Sequence, residues 1–95
     1  MAKKIVSKNR RVSFSVQADP GAVVGLAGTF NNWDPQAKKM VDKKGTGLFT
    51  TTLMLPPGAY EYKFVINGTW CVDPDNCEWA QNDLGTLNSV LSVKA

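Results

Sequence analysis

Turn-forming residues punctuate this 95-residue chain often enough to leave room only for short strands, as in an all-β domain. The punctuation is explicit: Asp19-Pro20-Gly21, Gly45-Thr46-Gly47, Pro56-Pro57-Gly58, Asn67-Gly68 and Asp73-Pro74-Asp75-Asn76. Proline presets φ at such positions, while glycine and asparagine tolerate a positive φ. Between the turns the chain alternates with period two. Val12, Phe14 and Val16 alternate with Ser13 and Ser15, as in a half-buried strand. Ala22 to Gly28 is apolar on both faces and contains small residues, where another backbone can approach closely. Leu48 to Leu55 puts Phe49, Leu53 and Leu55 on one face. Tyr60, Tyr62, Phe64 and Ile66 then alternate with Glu61, Lys63 and Val65, and Asn67-Gly68 fits a type I′ hairpin leading into Thr69 to Val72. A short strand is expected around Met40 and Val41, then a long polar loop reaching to Leu87, and a closing strand marked by Leu91 and Val93. No amphipathic helical pattern competes. The reading is an all-β, immunoglobulin-like antiparallel β-sandwich of about seven strands.

The length accommodates one domain. Residues 1–9 read as a flexible basic tail and residues 10–95 as the folded module. Eleven Lys and Arg against eight Asp and Glu give a net charge of +3. Five of those cations, Lys3, Lys4, Lys8, Arg10 and Arg11, fall in the first eleven positions, leaving six against all eight acids from Val12 onward, a net of −2. The folded body is therefore slightly acidic and presents no basic stripe for nucleic acid. No apolar run approaches the ~18 residues of a membrane span, and no apolar stretch follows the basic start as in a secretory signal. The expected address is the cytoplasm, without nucleic-acid or membrane partners. Cys71 and Cys77 flank a turn-rich stretch and could close a small disulfide loop; in that compartment two reduced thiols are expected.

Composition removes most catalytic chemistry. Without histidine, Ser–His–Asp and Cys–His nucleophiles cannot be assembled, and two cysteines alone do not complete a structural zinc site. No Gly-rich phosphate loop of Walker form is present. Asp73, Asp75, Glu78 and Asp83 are the candidates for a glycosidase carboxylate pair, yet all four lie in one turn-rich stretch and read as turn caps and solvated charges. The DPDN string opens like a calcium loop, but Glu78 stands where the loop needs glycine and Leu84 where it needs a bidentate glutamate. The chain reads as a non-enzyme with no cofactor and no metal.

The tryptophans carry more information. Trp33 sits between Asn31-Asn32 and Asp34-Pro35, Trp70 follows the Asn67-Gly68 turn, and Trp79 has polar neighbours. Large aromatics in such surroundings are costly to expose and point to a ligand or partner. A sugar ring supplies the match: its C–H face covers an indole, and its hydroxyl rim meets amides and ammonium groups. Capping the core is the plain alternative for each indole, and for Trp79 the two readings are evenly matched. Lys63 is the charged member of an aromatic strand, on the face opposite Tyr62 and Phe64, shortly before the hairpin carrying Trp70. A solvated sheet face would also explain it.

Four motifs in order, GTFNNWDP, YEYKFVINGTW, DPDN and NDLGTLNSVLSV, resemble the glycogen-binding domain of AMP-activated protein kinase β subunits, within carbohydrate-binding module family 48. The similarity runs from about Val12 to Val93. It implies a non-catalytic module that holds α-1,4-linked glucose chains of glycogen or starch. By this resemblance Trp33 and Trp70 are the stacking residues, Lys63 contacts sugar hydroxyls, Leu84 packs against the sugar chain, and Thr86 and Asn88 hydrogen-bond to it. The segment between Trp33 and Leu48 departs from the family in being longer and lysine-rich, without a serine, so the kinase subunit's phosphoserine has no counterpart there. Trp79 has no clear family counterpart; it would either widen the platform or cover the loop.

The expectation is thus a monomeric module that binds α-glucan, with a glucan-metabolising enzyme as a conceivable partner. Two other readings stay open: an accessory domain docked within a branching or debranching enzyme, and an immunoglobulin-like protein-interaction domain whose tryptophans meet a protein.

Overall fold

A computed structural model describes residues 9–94 as seven strands in two antiparallel sheets. Of the expected tail at residues 1–9, all but Asn9 lies outside the described residues. Strand β1 (Arg10–Gln17) pairs with β3 (Leu48–Leu55) as a two-stranded sheet. The other sheet contains β2 (Val24–Gly28), β4 (Gly58–Ile66), β5 (Thr69–Cys71), β6 (Trp79–Gln81) and β7 (Leu87–Val93), ordered β2-β4-β7-β6 with β5 also on β4. Tyr62 pairs with both Gly28 and Ser89, and Val65 with both Gly25 and Trp70. Strands β5 and β7 therefore run end to end along one edge of β4, with β2 on the other.

The core follows from the alternation read in the sequence. Phe14 and Val16 of β1 and Phe49 of β3 meet Val24, Leu26, Tyr62 and Phe64 of the larger sheet. Phe14 and Tyr62 pack edge to face at 5.1 Å, and Tyr62 and Phe64 at 5.8 Å, the offset geometry that aromatic quadrupoles favour. The hairpin turn has the expected type I′ signs, with φ of 50° at Asn67 and 84° at Gly68. Its tip is tied to the start of β2, where the Val23 N–H donates to Asn67 Oδ1 at 2.8 Å.

Two expectations need correction. Met40 and Val41 do not form a strand of their own. Lys39 bridges Gly25 in one sheet and Val41 bridges Thr50 in the other, while the Met40 N–H donates to Val24 O at 2.8 Å and its side chain joins the core. One residue per sheet is too short for a ladder, so the segment steps from sheet to sheet. The stretch from Val72 to Leu87 is not all loop either: β6 adds to β7 through Trp79↔Ser89 and Gln81↔Leu87, and β7 itself begins at Leu87.

Gly25 explains how the segment after β2 lies down on the outward face of the larger sheet. A Cβ there would stand 2.3 Å from the Pro35 carbonyl oxygen, so only a bare backbone admits the crossing. Gly25→Ala should lower stability by about 2 kcal/mol or more through overpacking. Gly45, where a Cβ meets nothing within 4 Å and φ is 69°, should cost only the left-handed strain of roughly 1 kcal/mol when changed to alanine. Urea midpoints of the two variants check the ordering.

Candidate functional site

Strand alternation alone brings three of the expected residues to one face. Trp70 is the cross-strand partner of Val65, and Lys63 lies two residues before Val65, hence on the same side of β4. Continuing the Tyr62↔Ser89 register by one step sets Asn88 beside Lys63. Above this face opens a cleft of about 520 Å³, lined by all six expected residues, Trp33, Lys63, Trp70, Leu84, Thr86 and Asn88, together with Asn82 and Asp83.

Trp33 reaches the cleft through a strained turn. Asn32 and Trp33 both have positive φ, 56° and 59°, and for a bulky residue such as tryptophan this is costly by roughly 1–3 kcal/mol. Hydrogen bonds hold the turn in place. The N–H groups of Asn31 and Trp33 donate to Gly28 O at 3.1 and 3.0 Å. The Asn31 amide accepts from Gly28 N–H at 3.0 Å and donates to Leu26 O at 2.9 Å. The indole is half-buried. Trp70 is 45% exposed and Leu84 89% exposed. Trp70 sits on β5 rather than in a loop, so its exposure comes from facing outward.

The polar end of the cleft is organised by Asn82, which sequence reasoning passed over. Its Oδ1 accepts from the N–H groups of Leu84 and Thr86 at 3.0 and 3.1 Å, and its Nδ2 donates to Thr86 Oγ1 at 2.7 Å and Asn88 Oδ1 at 3.0 Å. The backbone closes the same turn, from Gly85 N–H to Asn82 O at 3.1 Å, with Gly85 at φ 81°. Asparagine followed three residues later by glycine is a turn signature, and it was there to be read in NDLG.

Two further contacts decide what the expected polar residues can offer. Lys63 Nζ donates to Thr86 Oγ1 at 3.1 Å. That oxygen already accepts from Asn82, so both lone pairs are filled and its own proton is left to donate. Asn88 is only 5% exposed; its Nδ2 donates to Glu61 Oε1 at 2.9 Å, leaving one N–H free. Asn88 therefore supports the cleft floor more than it projects from it.

Beneath the sheet the DPDN stretch is fixed by a second network. Tyr62 O–H donates to Asp73 Oδ2 at 2.8 Å and accepts from Asn76 Nδ2 at 3.2 Å, Asn76 Nδ2 also donates to Val90 O at 2.8 Å, and Asp73 N–H donates to Ser89 Oγ at 2.8 Å. Asp73 Oδ1 accepts from Asp75 N–H, the turn-capping role read from sequence. Burial pushes the Tyr62 hydroxyl far up; the Asn76 hydrogen bond opposes this, and the hydrogen bond and charge of Asp73 reinforce it. Cys71 and Cys77 are free thiols, the first half-buried and the second exposed. Burial raises Cys71, partly offset by the Lys63 charge. Among the described residues no three Asp, Glu or Cys side chains converge as a metal site requires.

Trp79 takes no part in the cleft. Its partner Ser89 faces the same side as Tyr62, the side away from Lys63 and Asn88. It is 54% exposed at the β6 edge, and so does not widen the platform.

A β-sandwich with an open, indole-walled cleft on one sheet face defines a carbohydrate-binding module. The chain belongs to the family described as the glycogen recognition site of AMP-activated protein kinase, whose model matches residues 12–95. It is 36% identical over 74 residues to the 5'-AMP-activated protein kinase subunit beta-1 of Sus scrofa, covering 78% of this chain and 57% of that protein. It is 38% identical over 92 residues to Protein FLOURY ENDOSPERM 6, chloroplastic, of Oryza sativa subsp. japonica, covering 97% of this chain and 16% of that protein. It is 34% identical over 77 residues to the beta-2 subunit of Mus musculus, covering 81% of this chain and 27% of that protein. The chain thus spans little more than half of one of these relatives and between about a sixth and a quarter of the others.

Two expectations follow from these networks. Asn82→Ala should remove four side-chain hydrogen bonds, lower stability by about 1–2 kcal/mol, and raise amide exchange at Leu84 and Thr86 while leaving β4 protected; hydrogen exchange by NMR reads both. Tyr62 keeps its proton in the folded chain beyond the ordinary value of 10.0, whereas the unfolded chain ionises there. Above that pH the unfolded state binds fewer protons, so stability falls as pH rises. Tyr62→Phe should melt lower at neutral pH yet show a flatter alkaline decline, followed by thermal melts.

Proposed function

We propose that this module binds α-1,4-linked glucan by stacking glucosyl rings on Trp33 and Trp70. The observation that carries the reading is that two indoles from different segments share one open cleft with hydrogen-bond donors at its polar end. Lys63 and Thr86 meet sugar hydroxyls, the remaining Asn88 N–H adds a donor, and Leu84 closes one side. Each stack contributes about 1 kcal/mol if aromatic-pair values transfer. Set against the cost of immobilising a flexible polysaccharide, this gives a Kd of about 10 μM to 1 mM. The module holds the polymer and performs no chemistry on it. Its role in the whole protein is to bring a partner enzyme to the polymer, a glucan-metabolising enzyme being the class that fits the ligand; that there is a partner is supported by the larger relatives, two of which are kinase subunits by name.

Native gels cast with glycogen test this. Wild-type protein should be retarded, while Trp33→Ala and Trp70→Ala should migrate freely with unchanged melting temperatures. Retardation should depend little on salt, because the ligand is neutral. Free migration of the wild type would instead favour a protein-interaction domain, and retardation of both variants would remove the two tryptophans from the site.

A further inference from the structure

The free hydrogen-bonding capacity of the cleft is lopsided. Lys63 has donors only, the Thr86 hydroxyl has both lone pairs filled by Lys63 and Asn82, and Asn88 keeps one N–H beyond Glu61. The Asn82 Oδ1 is filled by two backbone N–H groups. Every sugar hydroxyl that accepts from these donors still has a proton of its own to place.

Asp83 is the carboxylate that can take those protons. It lines the cleft, is exposed, and has no side-chain partner among the described residues. Elsewhere Asp34, Asp42 and Asp73 use their carboxylates to accept from turn amides. In this turn the capping belongs to Asn82, which leaves the neighbouring Asp83 carboxylate unused by the fold. An internal α-1,4-linked glucosyl unit has its C1 and C4 oxygens in linkages, so the hydroxyls on C2 and C3 are its one adjacent pair. Two carboxylate oxygens match two adjacent O–H donors, in charge-assisted hydrogen bonds.

We propose that Asp83 is a specificity-determining sugar contact, accepting hydrogen bonds from the C2 and C3 hydroxyls of one glucosyl unit in the cleft. The proposal rests on the glucan reading above. It makes the site selective for chains whose secondary hydroxyls are unmodified, because methylation of either one removes a donor and leaves the carboxylate facing an ether.

Isothermal titration with a cyclic α-1,4-glucan and its 2-O-methylated counterpart tests it. Asp83→Ala should weaken binding of the unmodified ring about tenfold and Asp83→Asn, which keeps one acceptor oxygen, about threefold, with melting temperatures unchanged. Methylation should weaken binding to the wild type but make little further difference to Asp83→Ala, the coupling expected when the two changes remove the same interaction. Wild-type affinity in Asp83→Ala, or an equal methylation penalty in both proteins, overturns the assignment while leaving the glucan reading intact. Failure of the wild type to bind the unmodified ring overturns the glucan reading and the assignment together.

Discussion

Successive side chains of β4 must point to opposite faces, and both halves of this molecule depend on that constraint. Tyr62 and Phe64 enter the core, so Lys63 and Val65 face the other way, and Lys63 lines the cleft. The strand is hydrogen-bonded along one edge to β2 and along the other to β7 and β5 in succession. A slip of one residue would bury the Lys63 ammonium and expose two aromatic rings. The Tyr62 hydroxyl, bonded to Asp73 and Asn76, resists that slip, since moving it would leave polar groups unpaired. The interior register and the binding face are one decision.

On that rigid floor the site is completed by two turns, and an asparagine holds each. Asn31 accepts from Gly28 and donates to Leu26; Asn82 accepts from Leu84 and Thr86 and donates to Thr86 and Asn88. A side-chain amide suits the task because it offers an acceptor and donors at once. The strain at Asn32 and Trp33 is tolerated because the Asn31 bonds and the close crossing at Gly25 leave the turn nowhere else to go. Positioning the indole before a ligand arrives reduces the ordering cost of a weak complex. The buried Asn88 belongs to the same design, as a brace between Asn82 and Glu61.

Much of this was legible in the chain. The strands around Phe14, Leu26, Phe49 and Phe64 and the Asn67-Gly68 turn follow from local alternation and turn chemistry, which neighbouring residues set among themselves. The family motifs pointed to Trp33, Lys63, Trp70, Leu84, Thr86 and Asn88, and all six line one cleft. The misses were non-local. Strand β6 is three residues long and has no alternation to read; it exists because β7 lies beside it. The Met40 segment looked like a strand because Met40 and Val41 are adjacent apolar residues, yet its hydrogen bonds are divided between two sheets.

Trp79 shows the division most clearly. Its sequence surroundings resemble those of Trp33 and Trp70, but pairing with Ser89 turns it to the other side of the sheet. Amino-acid order by itself determined the period-two strands, the turns between them and the residue types able to meet a sugar, because those are properties of short stretches. Tertiary structure alone decided which indoles share a face and which acceptors remain free, because a side chain's direction depends on strand register with partners distant along the chain.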